Sequence, residues 1–219
     1  MKHELIEKVF VSPEAQLIVD EVQKKLDEER RRRELFYNEI TEYEKAEFIN
    51  GEIVVHSPVK KRHNDYSFQL AMLMKTFVQK YDLGFVGHEK IMVTLSRNDY
   101  EPDVCFFKKE KAEKFTPEQS LFPIPDLVVE VLSPATEKND RELKFRDYEA
   151  HGVSEYWIVD AENMLFEQYQ LQENESYALQ IKANEGTVQS IAIEGFTFRI
   201  EAIFDAAENL KAMEKLLCE

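Results

Sequence analysis

The residue that most invites a chemical explanation is Glu130. It lies within D-L-V-V-E-V-L, residues 126–132, a valine-rich run bounded by Pro125 and Pro134 that reads as a buried strand. Period-two alternation puts Asp126, Val128, Glu130 and Leu132 on one face, and Leu127, Val129 and Val131 on the other. A lone carboxylate there must be paired, protonated or bound to a metal. Two other residues could meet it. Asp103 follows Pro102 at the mouth of the apolar run 104–107, and Lys144 lies in the segment that follows the Glu130 strand. A structural ion pair and a functional carboxylate both account for Glu130 at this stage.

The elements that must position these three are legible. Residues 139–151 hold helix formers without an internal proline, and Gly152 stands where a C-cap glycine belongs. Residues 156–159 are apolar and β-prone, closing at Asp160. Strand, helix and strand imply two parallel strands joined by a right-handed crossover. Pro102 lacks an amide donor and marks a strand entrance or sheet edge. Asp140, Lys144 and Tyr148 fall at i, i+4 and i+8 on one helical stripe. An exposed Asp140–Lys144 pair would explain that stripe as well.

Elsewhere the pattern is of helices around strands. Ser12-Pro13 reads as a helix start, with Ile18, Val22 and Leu26 forming an amphipathic stripe before a charged extension through Arg33. That helix could dock on its own domain or on a second subunit. Asn50-Gly51 predicts a hairpin over 48–55. Tyr66, Leu70, Leu73, Met74 and Phe77 mark a helical face, which His63 extends by one turn; a histidine there can be a structural residue or a functional one. Residues 84–95 read as one strand and 96–99 as a turn. Beyond Asp160, strands at 164–171, 177–181 and 196–200 extend the sheet, and 206–217 form a terminal helix. The organisation is a single domain over 1–219, with a helical extension (1–45), a core (46–170) and added strands and a helix (171–219). An edge strand or docking helix could form a homodimer interface.

Composition limits the rest. With 219 residues, 43% hydrophobic and 32% charged, the chain can bury a sizeable core. No apolar run would span a bilayer and the N-terminus lacks a signal-peptide apolar region, which points to the cytoplasm. Two cysteines, Cys105 and Cys218, make neither a disulfide framework nor a metal motif. The net charge of −15, from 43 acidic and 28 basic side chains, shows no basic nucleic-acid footprint. Basic clusters at 30–33, 60–62 and 108–114 are solvated surface or a phosphate track. Glycine-rich phosphate loops are absent.

Taken together, P-D-V-C-F-F, P-D-L-V-V-E-V-L-S-P, D-R-E-L-K-F-R-D-Y and G-V-S-E-Y-W-I-V-D resemble the Uma family of restriction-endonuclease-like proteins, within the PD-(D/E)XK nuclease superfamily. The resemblance runs from Phe48 to Gln170. It implies an α/β fold, a central mixed sheet flanked by helices. It also implies a Mg²⁺-dependent endonuclease acting on nucleic acid, DNA in the first instance, with Mn²⁺ as a possible substitute. Asp103 and Glu130 match the motif acids, which would bind the metal. Leu132 stands where the superfamily has lysine; the matching lysine is Lys144 on the following helix, which would assist the attacking water. Glu52, His63 and Tyr148 are second-rank candidates. The chief alternative is a catalytically weak or inactive fold kept as a binding or protein-interaction module, to which the acidic charge and the departure at Leu132 lend support.

Overall fold

The computed structural model describes residues 2–41 and 44–218. They divide into two compact units, Met1–His56 with Ser96–Asn98, and Ser57–Leu95 with Asp99–Glu219. Among the described residues, no helix is long and apolar enough to cross a membrane.

The first unit holds helices α1 (Lys2–Phe10) and α2 (Ala15–Glu39) and strands β1 (Ala46–Ile49) and β2 (Glu52–Val55). The break between the helices falls at the expected serine: the Ser12 hydroxyl accepts the Glu14 amide at 3.2 Å. Helix α2 runs past Arg33, and its Phe36 packs on Phe48 with ring centroids 5.7 Å apart. The hairpin forms as the Asn-Gly pair predicts. Asn50 and Gly51 have φ of 51° and 83°, the left-handed pair that a two-residue hairpin turn requires. Residues 96–98 are held to this unit by Arg97, whose guanidinium donates two bonds to Glu29, at 2.9 and 2.7 Å.

The second unit carries the larger sheet. Its elements are α3 (Lys61–Lys80), β3 (Gly84–His88), β4 (Met92–Thr94), β5 (Asp99–Tyr100), β6 (Val104–Lys108), α4 (Lys109–Ala112), β7 (Leu121–Phe122) and β8 (Leu127–Val131). A π-helical segment (Asn139–Lys144) leads into α5 (Phe145–Ala150), followed by β9 (Glu155–Asp160), β10 (Leu165–Leu171) and β11 (Tyr177–Ala183). The chain ends with β12 (Thr187–Gln189), β13 (Thr197–Arg199), α6 (Glu201–Phe204) and α7 (Ala206–Cys218). Six strands form a sheet in the order β11-β10-β9-β8-β6-β3. Strands β8 and β9 are parallel, with Glu130 opposite Ile158, and the other neighbours are antiparallel. This is the mixed α/β architecture read from the sequence. Leu70, Leu73, Met74 and Phe77 of α3 pack into one core with Val104, Phe106, Val129, Trp157 and Phe166 of the sheet.

Three local expectations change. The run at 84–95 is two strands, because Glu89 and Lys90 take φ of 55° and 48° and reverse the chain. The last strand does not extend the large sheet; β13 pairs with β12 alone. The crossover helix is continuous, but its first part is wound as a π-helix, a winding frequent at functional sites.

Candidate active site

Asp103 sits just before β6, where that strand is hydrogen-bonded to β8. Its Oδ2 accepts the Val131 amide at 2.8 Å, so the carboxylate is held against the strand that carries Glu130. Its backbone carbonyl accepts the Glu89 amide at 3.1 Å. The sharp reversal at Glu89 and Lys90 is thereby fastened to the same point. His63, on the buried face of α3, places Nε2 at 3.3 Å from Asp103 Oδ2. The apolar stripe of α3 thus continues for one turn as the helical spacing implies, and its last member is an imidazole facing a carboxylate.

Glu130 faces the crossover helix. Lys144 Nζ lies 3.1 Å from Glu130 Oε1 and 3.4 Å from Asp140 Oδ1, and the Tyr148 hydroxyl donates to Glu130 Oε1 at 3.5 Å. The stripe of Asp140, Lys144 and Tyr148 is therefore turned inward; the exposed-pair account fails, since Lys144 is only 3% exposed and Asp140 2%. The Tyr100 ring lies 5.4 Å from the ammonium, and the Tyr100 hydroxyl donates to Asp147 Oδ2 at 2.8 Å. Tyr156 closes the floor by donating to the Asp140 carbonyl at 2.9 Å. Burial, reinforced by the nearby Glu130 and Asp140 carboxylates, pushes the Tyr156 phenol well above its ordinary pKa, so it stays a donor.

Of the residues singled out in the sequence, Asp103, Glu130, Lys144, His63 and Tyr148 all belong to the second unit and enter these contacts. Glu52 lies exposed on β2 of the first unit. Asp126, set aside from the site, braces the strand entrance instead, accepting the Lys108 amide at 2.8 Å and facing Lys111 Nζ at 3.0 Å. Two participants escape sequence reading. Glu89 is hidden inside what reads as a continuous strand, and Tyr100 looks like one more core aromatic. The available signal for the first is Gly87: a Cβ there would meet Cys105 Sγ at 2.9 Å, and an isolated glycine in a strand marks such close approach.

His63, Glu89 and Asp103 each offer one ligand atom, all within 4.8 Å of one another, and they make the one such group among the described residues. The donor set of two carboxylates and an imidazole fits a divalent first-row ion. Carboxylate oxygens suit Mg²⁺ and Mn²⁺, and the imidazole favours a first-row transition ion over Mg²⁺.

The Uma2 family model, described as "Putative restriction endonuclease", matches residues 28–201. The uncharacterised protein sll1609 of Synechocystis sp. is 31% identical over 131 residues, 58% of this chain and 72% of that protein. A second uncharacterised Synechocystis protein, slr1290, is 32% identical over 129 residues, 58% of this chain and 66% of the other. A crystal structure from Anabaena variabilis, described as "a putative nuclease belonging to DUF820", superposes with a TM-score of 0.66 at 16% identity, covering 77% of this chain and 94% of that one. That likeness is one of fold.

Proposed function

Because the chain belongs to the Uma2 family, we propose that it is a divalent-cation-dependent endonuclease that hydrolyses phosphodiester bonds in DNA. The observation that carries this reading is the meeting of Lys144 with Glu130 at 3.1 Å, on the strand whose Val131 amide holds Asp103. In this reading a lysine from the crossover helix would supply the charge that Leu132 lacks. His63, Glu89 and Asp103 would hold the ion, and Glu130, the second motif acid, which lies outside that group and faces Lys144, would be a further ligand. Bound there, the ion would supply a Lewis acid for a phosphate oxygen and lower the pKa of a water.

The chain's own groups do the remaining work. The Lys144 ammonium would orient the attacking water or meet negative charge developing on the phosphate. Tyr148 and the Tyr100 ring fix where Glu130 and Lys144 can point, since both tyrosines are fully buried. Preorganised groups of this kind need little rearrangement as charge develops.

Calorimetric titration with Mn²⁺ and Mg²⁺ tests the assignment before any substrate is known. Saturable binding is expected in the wild type, lost in Asp103→Ala and weakened in Glu89→Gln. With plasmid DNA and the bound ion, Glu130→Gln is expected to abolish cleavage; cleavage at the wild-type rate by that variant would sink the proposal.

A further inference from the structure

The start of α3 borders a second feature, an open cleft of about 630 Å³ whose lining includes Lys60, Lys61, Arg62, the acid Asp65, Tyr66 and Phe204. Three cations come from consecutive residues. Lys61 pairs with Asp65, while Lys60, at 3.8 Å, and Arg62 share Glu162. Three cations against those two acids leave one positive charge in excess, in a chain whose net charge is −15. Tyr66 and Phe204 meet edge to face, with centroids 5.1 Å apart at 88°. In that arrangement one ring's face is not covered by the other.

We propose that this cleft binds an unpaired stretch of nucleic acid: cations on its phosphates and a base against the Tyr66–Phe204 pair. The inference rests on the nuclease reading for its substrate class and adds to it a strand state and a site. Position supports it. His63 follows Arg62 in the same turn and points inward to Asp103. At about 1.5 Å of rise per residue, Tyr66 stands about 4.5 Å further along the helix axis. Along the axis of α3 the cleft therefore lies within a helical turn of His63. Stacking selects the single strand, because in a duplex both faces of each base are already covered. Electrostatics selects it too. A duplex carries a denser phosphate charge than a single strand, and this acidic protein offers only a local basic patch.

The test is fluorescence anisotropy with a labelled single-stranded oligonucleotide and the matching duplex, with divalent ions chelated. The single strand is expected to bind more tightly than the duplex. Tyr66→Leu should weaken it about tenfold, the value of one stacked base, and Tyr66→Phe should bind as wild type. Arg62→Gln should reduce the slope of log affinity against log salt by about 0.7. This exposed substitution decides the matter if Tyr66→Leu fails to fold by circular dichroism. Equal binding of duplex and single strand, no binding of either, or an unchanged salt slope in Arg62→Gln would overturn the inference. The two readings fail separately. Tight, cleft-dependent binding without cleavage under any divalent ion would remove the nuclease reading and leave the cleft. Cleavage that is indifferent to the cleft substitutions would do the reverse.

Discussion

A buried carboxylate in a strand is a weaker signal than it looks. The large sheet holds three buried glutamates, Glu130, Glu155 and Glu167. Glu155 accepts from Gln168 Nε2 at 2.6 Å, from the backbone amides of Ile191 and Ala192 at 3.1 and 2.9 Å, and from Ser190. Glu167 is ringed by Arg141, Lys182 and Tyr169. Both fasten structure. Glu130 differs in its company: a lysine on the crossover helix and, across β6, an aspartate with a histidine on it. Its ion pair is almost fully buried, so removing one member should be costly. Lys144→Met is expected to destabilise by about 3 kcal/mol, because it strands a buried carboxylate. Replacing both residues, as Glu130→Gln with Lys144→Met, should recover part of that loss, since the buried Asp140 still loses the ammonium, with a coupling of about 2 kcal/mol in urea unfolding. Additive losses would show that the two side chains do not depend on one another.

At the scale of elements, the π-helical segment decides where Lys144 points, and Arg141 holds that segment down. Its guanidinium contacts Glu137 at 3.0 Å and both oxygens of Glu167 on β10, at 3.1 and 2.9 Å. Burial raises the Glu167 pKa, but hydrogen bonds from Arg141, Tyr169 and Lys182 outweigh it and leave the group below its ordinary value of 4.5. A carboxylate depressed on folding contributes stability that is present above its unfolded pKa and lost as pH falls through the folded one. Glu167→Gln should therefore melt below the wild type at neutral pH, and the gap should close as pH falls below about 4.5. A gap independent of pH would mean that the carboxylate charge is not what holds the segment. Arg141→Met should cost about 2–3 kcal/mol, less than a fully stripped buried pair, since Lys182 and Tyr169 still face Glu167.

At the scale of the molecule, the expectation of a homodimer would place two candidate sites about a two-fold axis. Helices α1 and α2 leave Leu5, Ile6, Phe10 and Leu17 more than half exposed, an apolar surface of the kind that partners cover. Light scattering at micromolar concentration should give twice the 25.8 kDa chain mass; a monomer would end that expectation. The −15 charge bears on this scale as well. It leaves no extended phosphate track, so binding to nucleic acid should depend on few phosphate contacts and fall only shallowly with added salt.

The sequence by itself determined a good deal here. Alternation and proline boundaries give β8 and its Glu130; the Asn-Gly pair gives the hairpin; strand, helix and strand give the parallel crossover; and the motif set gives the family. These are readable because each depends on neighbours along the chain. Four things waited for the tertiary structure. The winding of 139–144 depends on what the segment packs against, Glu167 included. The reversal at Glu89 and Lys90 puts two non-glycine residues in left-handed backbone, which short-range propensity does not favour. The inward turn of Asp140 and Lys144 could be an exposed i,i+4 pair until burial is known. The gathering of His63, Glu89 and Asp103 joins residues far apart in the chain, and only the packing of α3 on the sheet and the bond from Glu89 to the Asp103 carbonyl bring them to one place.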